Sequence, residues 1–147
     1  MFSQTVEYAL RAMVQLAADA PSASTTREIA AKTKVPSAYL AKVLQSMRRA
    51  GLIHSRRGVG GGVTLAMPPK DVSLLEVIDA VEPLQRTRSK SRSAASPLQR
   101  TLDAALGQIR ETFANVSLAD MLAPKKAKSA ARRRKPAKSP PRKRART

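Results

Sequence analysis

Between residues 4 and 19 the apolar positions Val6, Leu10, Met13, Val14 and Ala17 recur at intervals of three and four, the spacing that lines one face of an amphipathic helix. Pro21 and the polar run from Ser22 to Thr26 end that helix. Thr25 with Glu28 three residues on has the form of a capping box, which predicts a short second helix with Ile29 and Ala30 inward, stopping near Lys34. A tight turn follows at Val35-Pro36. Ser37 is the expected N-cap of a third helix, where Leu40, Val43, Leu44 and Met47 keep the helical spacing, and Gly51 followed by Leu52 suits a left-handed C-cap. Helix, short turn, helix is the first motif of the chain.

The period then changes from helical to extended. Residues 52–55 and 63–66 read as two short strands, and the segment from Arg56 to Gly62 that joins them carries four glycines, which permit positive φ and close backbone approach. A wing hairpin is predicted. After Pro68-Pro69, Ser73 and Glu76 form a second capping box, opening a helix with Leu74, Leu75, Val77, Ile78 and Val81 that ends before Pro83. Residues 83–95 lose apolar periodicity and read as a basic loop. Ser96-Pro97-Leu98-Gln99 joins an N-cap, a proline at the first helical position and a glutamine at the third; Leu98, Leu102, Ala105, Leu106, Ile109 and Phe113 follow as a near-heptad stripe. That stripe is either buried by its own chain or paired with a second copy across a two-fold axis, and the small size of the core favours the second. Val116, Leu118, Met121 and Leu122 suit a last short helix. The expected organisation is a winged helix-turn-helix unit over 1–82, the loop 83–95, a dimerisation region 96–122 and a tail 123–147, in a fold that is mainly α with one small β-hairpin.

Charge sharpens this picture. The 147 residues hold 28 Lys and Arg against 10 Asp and Glu, a net charge of +18, and such an excess draws polyanions. Twelve of those cations lie in residues 125–147 with no acid among them, so the sixteen that remain exceed the ten acids by six. The Lys, Arg, Pro, Ala and Ser mixture from residue 123 onward lacks apolar residues to bury, which predicts a disordered tail. Its cations can neutralise phosphates without sequence preference, at a salt slope of about −0.9 per contact. Two Phe, two Tyr and no Trp make few stacking platforms, so duplex DNA suits the chain better than single strands. With no cysteine, disulfides and thiolate-ligated metal sites are excluded. The apolar runs are too short and broken for a membrane span, and no signal segment is evident; a soluble cytoplasmic protein, held at the nucleoid by DNA, is expected.

The outward face of the third helix collects Ala38, Ala41, Lys42 and Gln45, with Tyr39 at its edge and Arg48 and Arg49 at its far end, and Ser37 at its start joins the DNA-binding set. A recognition helix enters the major groove by its N-terminal residues, so Lys42 and Gln45 are candidates for base edges, and Tyr39, Arg48 and Arg49 for phosphates. Thr26, opening the second helix, joins the DNA-binding set. So do Arg56, Arg57, Gly58 and Gly60 of the wing, a slender basic hairpin able to reach a narrow A·T-rich minor groove. A nucleotide-binding loop would run from strand into helix, whereas these glycines run into a strand. His54 stands alone, and Asp79 with Glu82 reads as a solvated helix end, so no catalytic set emerges.

Glu7-Tyr8-Ala9-Leu10-Arg11-Ala12, Tyr39-Leu40, Gly51-Leu52, Arg57-Gly58 and Gly60-Gly61-Gly62 with Leu65 together resemble the bacterial Rrf2 family of winged-helix regulators, over residues 1 to about 122. The resemblance implies a homodimer whose long C-terminal helices cross through Leu98, Leu102, Leu106, Ile109 and Phe113. It also implies that each third helix lies in a major groove and each wing in the adjacent minor groove of a palindromic site. Many members hold an iron–sulfur cluster on three cysteines ahead of the long helix; here Glu82 to Gln99 contains no Cys, His or Met, and Ser and Gln are poor ligands, so no cluster and no other cofactor are expected. Relatives without a cluster respond to a partner protein, which leaves an effector or partner open here. The expectation is a sequence-specific transcriptional regulator, read as a repressor and not an enzyme. The alternative is an architectural nucleoid protein driven by its tail.

Overall fold

A computed structural model of the chain describes residues 2–84 and 96–122. In chain order they form α1 (Gln4–Asp19), α2 (Thr26–Thr33), α3 (Ser37–Arg49), β1 (Ile53–Arg56), β2 (Gly62–Leu65), a 3-10 turn at Pro69–Asp71, α4 (Leu74–Val81), α5 (Pro97–Ala114) and α6 (Leu118–Leu122). The basic loop from residue 85 and the tail from residue 123 lie outside the described residues.

Local chemistry sets most of the boundaries. Both capping boxes form: Thr25 Oγ1 accepts from the Glu28 amide at 3.2 Å while Glu28 Oε2 accepts from the Thr25 amide at 2.7 Å, and Ser73 and Glu76 do the same at 3.2 and 2.8 Å. Ser96 caps α5 through the Gln99 amide at 3.2 Å, with Pro97 at the first helical position. One expected cap is absent: Pro36 occupies the N-cap of α3, no side chain caps it, and Ser37 is its first helical residue. Proline has no amide to lose there and its fixed φ suits helix entry. At the other end, the Gly51 amide donates to the Arg48 carbonyl and the Leu52 amide to the Met47 carbonyl, both at 3.0 Å, with Gly51 at φ +75°. This double bond pattern is a Schellman motif, and the burial of Met47 and Leu52 supplies its apolar contact.

Helix α1 runs through the middle of the core and packs against α2, α3, α4, α6 and β2. Because neighbours surround it, its buried face is wider than a single stripe: Val6, Ala9, Ala12, Met13, Leu16 and Ala17 are buried, while Leu10 and Val14, expected inside, are half-buried. Ala9 and Ala12, fully enclosed, leave room for the surrounding helices to approach. Strands β1 and β2 pair antiparallel with Ile53 opposite Leu65 and Arg56 opposite Gly62, one residue off the sequence-based limits on each strand. That register buries Ile53 and Val63.

After α5 the chain returns to α1 and the 3-10 turn, where Leu118 of α6 joins the core. The Leu74 amide donates to the Val116 carbonyl at 2.8 Å and the Leu118 amide to the Val72 carbonyl at 2.9 Å, flanking a bridge between Ser73 and Ser117. The acidic pair at the end of α4, Asp79 within it and Glu82 at its C-cap, also departs from expectation. Asp79 is not a solvated helix end: Arg110 of α5 donates to both its oxygens at 3.1 Å and to the Leu84 carbonyl at 2.7 Å. Glu82 accepts from the Ser3 hydroxyl. A partner 31 residues away is beyond any local sequence pattern.

Candidate nucleic-acid interface

Helix α3 turns Leu40, Val43, Leu44 and Met47 into the core and leaves Ser37, Ala38, Tyr39, Lys42, Gln45, Arg48 and Arg49 exposed. Its first turn holds no acid and its last turn carries Arg48 and Arg49. Tyr39, half exposed at 50 %, rests edge-on against Tyr8 of α1, ring centroids 5.8 Å apart. The Tyr8 hydroxyl in turn accepts from Gln4 Nε2 at 2.7 Å, so α1 buttresses the entry of α3.

The wing begins at Arg56, which closes β1 opposite Gly62. Arg57, Gly58, Val59 and Gly60 are exposed, with Gly58 and Gly60 at φ +99° and +74°. The Gly61 amide donates to the Gly58 carbonyl at 3.0 Å, and a Cβ on Gly61 would collide with the Arg56 carbonyl. The loop is therefore a tight, glycine-rich turn that presents two arginines at its base and Val59 at its tip. None of Lys42, Arg48, Arg49, Arg56 and Arg57 is in an ion pair with another described residue, leaving their charge available to an anionic partner.

Between α2, α3 and the hairpin lies an open cleft of about 280 Å³ that brings Thr26, Gln45 and Arg48 together with Ala41 and Ser55. Thr26 itself is half-buried. Lys42 and Arg49 lie on α3 outside this cleft, and Arg56 and Gly60 line a separate groove of about 550 Å³ on the other flank of the wing, beside His54 and Ser55. Ser55 was not among the sequence candidates. Its signal is the strand period, which places it on the same face as Ile53.

Sequence reading also missed the residues that fix the wing from below. Ser24, 3 % exposed, exchanges two backbone hydrogen bonds with Val63, at 3.1 and 2.8 Å. Its hydroxyl donates to Asp19 at 2.9 Å, and the same carboxylate accepts from Gln15 at 3.1 Å and from Lys32 at 3.0 and 3.1 Å. The Lys32 ammonium, with Gln15 and Ser24, holds the Asp19 carboxyl below its ordinary value of 3.8, against the opposing effect of burial.

On α5 the apolar stripe has two fates. Leu98, Leu102 and Ile109 are 69 %, 54 % and 42 % exposed, whereas Leu106 and Phe113 are half-buried, Phe113 edge-on to Phe2 at 5.3 Å. No residue of α5 is buried within its own chain. Soluble proteins seldom leave so regular an apolar row uncovered.

A helix-turn-helix with an open basic face, flanked by a glycine hairpin carrying arginines, defines a winged-helix DNA-binding protein. The chain belongs to the Rrf2 family, described as iron-dependent transcriptional regulators, which it matches over residues 2–124. It is 37 % identical over 121 residues to the rrf2-like HTH-type transcriptional regulator of Rhodobacter capsulatus, covering 79 % of this chain and 81 % of that one. To BadM, an HTH-type regulator of Rhodopseudomonas palustris, it is 35 % identical over 117 residues, 77 % and 75 % of the two chains. Among solved structures, IscR of T. potens superposes with a TM-score of 0.73 at 27 % identity over 88 % of this chain and 90 % of that one. CymR, the global cysteine regulator of B. subtilis, shares the fold with a TM-score of 0.70 at 24 % identity over 82 % and 95 %. The protein is thus a DNA-binding transcriptional regulator and not an enzyme. The donor set does not fit the iron of the family description: the chain has no cysteine and one histidine, and among the described residues no group of three His, Cys, Asp or Glu side chains could hold a metal ion.

Proposed function

We propose that the protein is a sequence-specific transcriptional repressor that binds a palindromic operator as a homodimer, without an iron–sulfur cluster. The observation that carries this reading is the exposed, unpaired basic face of α3 set beside the arginine-bearing wing. Lys42 and Gln45 meet base edges in the major groove, Tyr39, Arg48, Arg49 and Thr26 meet phosphates, and Arg56 and Arg57 with Gly58 and Gly60 enter the minor groove. The row Leu98, Leu102, Ile109, half-completed by Leu106 and Phe113, pairs with its copy, giving half-sites about 34–36 Å apart. Lacking thiolates, the protein takes its signal from an effector or partner protein rather than a cluster. A purified protein with a broad brown visible absorbance would overturn that part.

The twelve cations of residues 125–147 favour a second reading, an architectural nucleoid protein for which the folded unit is only an anchor. A genome-wide selection of bound fragments at near-physiological salt, with the full chain beside a variant ending at Leu122, separates the two. Enrichment of a short inverted repeat by both proteins is the expected result, with specific binding about a thousandfold or more above random DNA. Binding by the full chain alone, with nothing enriched, would establish the architectural reading instead.

A further inference from the structure

We infer that Asp19 is a positioning residue for the wing, holding through Ser24 the edge of the hairpin that the DNA-binding reading above sends into the minor groove. A two-stranded hairpin is marginal by itself, and its direction must be set by what it packs against. The inner face of this one is seated by Ile53 and Val63. On its outer edge, among the described residues, Ser24 pairs with Val63 through both backbone groups. Gly62 lies so close that a Cβ there would come within 2.9 Å of the Ser24 carbonyl.

Ser24 itself is held by Asp19. The segment from Ala20 to Ala23 that leads to it is exposed, and what fixes its side chain is the bond from the buried hydroxyl to Asp19 Oδ2 at 2.9 Å. The carboxylate is aimed in turn by Gln15 from its own helix and by the Lys32 ammonium from α2. A charged acceptor makes each of these bonds stronger than a neutral one would. One carboxylate therefore ties the end of α1 to α2 and, through Ser24 and Val63, which lies opposite Ser55, to the strand that delivers Arg56 and Arg57. Without it the buried Ser24 hydroxyl loses its acceptor, and the edge of β2 is free to part from its cover.

The test uses the full chain as wild type, Asp19→Ala, Arg57→Ala and the double variant, with Ser24→Ala as the milder lesion. Amide hydrogen exchange at Ser24 and Val63 is read first. Both are expected to exchange about tenfold faster or more in Asp19→Ala and Ser24→Ala, while Val77 and Ile78 in α4 keep their wild-type protection. Binding to an A·T-rich duplex of random sequence is then measured at about 0.2 M salt, where tail contacts are weakened alike in all variants. Asp19→Ala is expected to weaken binding to an extent similar to Arg57→Ala, and the double variant to be no weaker than Arg57→Ala alone. Unchanged exchange at Ser24 and Val63, or losses that multiply in the double variant, would overturn the positioning role. If Arg57→Ala binds like wild type, it is the minor-groove reading of the wing that fails, and the exchange data alone decide the role of Asp19.

Discussion

Single residues carry the recognition chemistry, and their environments differ enough to be told apart by measurement. Lys42 is exposed near the middle of α3 and unpaired. Replacing it with alanine is expected to cost about 1–3 kcal/mol on the inverted repeat and to relax preference at one base position, whereas Arg49→Ala should weaken all sequences alike and reduce the salt slope by about one contact. Titration of operator and random duplexes at several salt concentrations checks both. Asp19 gives a pH signature. Its carboxyl is held below the ordinary 3.8, so it binds fewer protons folded than unfolded. The stability it contributes is complete above the unfolded value and is lost as pH falls through the folded one. Asp19→Asn should therefore be less stable than wild type near neutral pH and lose that difference in acid, as pH falls below the ordinary carboxylate range, read as melting temperature. Both residues were present in the sequence, yet only Lys42 was legible there. A lysine on the polar face of a periodic helix announces its exposure, while Asp19 sits at a helix end whose partners Ser24 and Lys32 are defined only by the folded turn.

At the scale of elements, sequence chemistry was most legible where partners are local. Thr25 with Glu28, Ser73 with Glu76, and Ser96 with Pro97 and Gln99 placed the starts of α2, α4 and α5, since each cap closes within one turn. Ser73→Ala should remove one such cap and cost about 1 kcal/mol in denaturant unfolding. Ser37 misled because a serine beside a proline satisfies the same pattern one position late. The hairpin was visible in its glycines, but not its register, which Ser24 and the burial of Val63 decide. Gly62 combines φ +146° with a Ser24 carbonyl 2.9 Å from the missing Cβ. Gly62→Ala is thus expected to destabilise by about 1–3 kcal/mol and to lower DNA affinity as well, a pairing of effects that Ser73→Ala should not show.

The molecule as a whole is organised around what α5 leaves open. Its leucines were read from the heptad-like spacing, and the choice between burial in the same chain and pairing with a copy could not be made from spacing alone. Leu102→Glu, at a site 54 % exposed, should leave the melting transition of the folded unit in place while shifting sedimentation toward the monomer and reducing operator affinity. Loss of folding in that variant would argue instead that the stripe is covered by its own chain.

What the sequence concealed entirely is how α5 is fastened. Arg110 grips Asp79 and the Leu84 carbonyl about one turn before the end, Phe113 meets Phe2 next to the end, and beyond it Val116 and Leu118 form hydrogen bonds with Leu74 and Val72. A helix held at successive points along its second half cannot swivel freely on the unit that carries α3. Two copies joined along Leu98 and Leu102 would then act as the arms of a caliper with a stiff joint, and the opening of that caliper, rather than any side chain at the DNA, would fix how far apart two half-sites must lie.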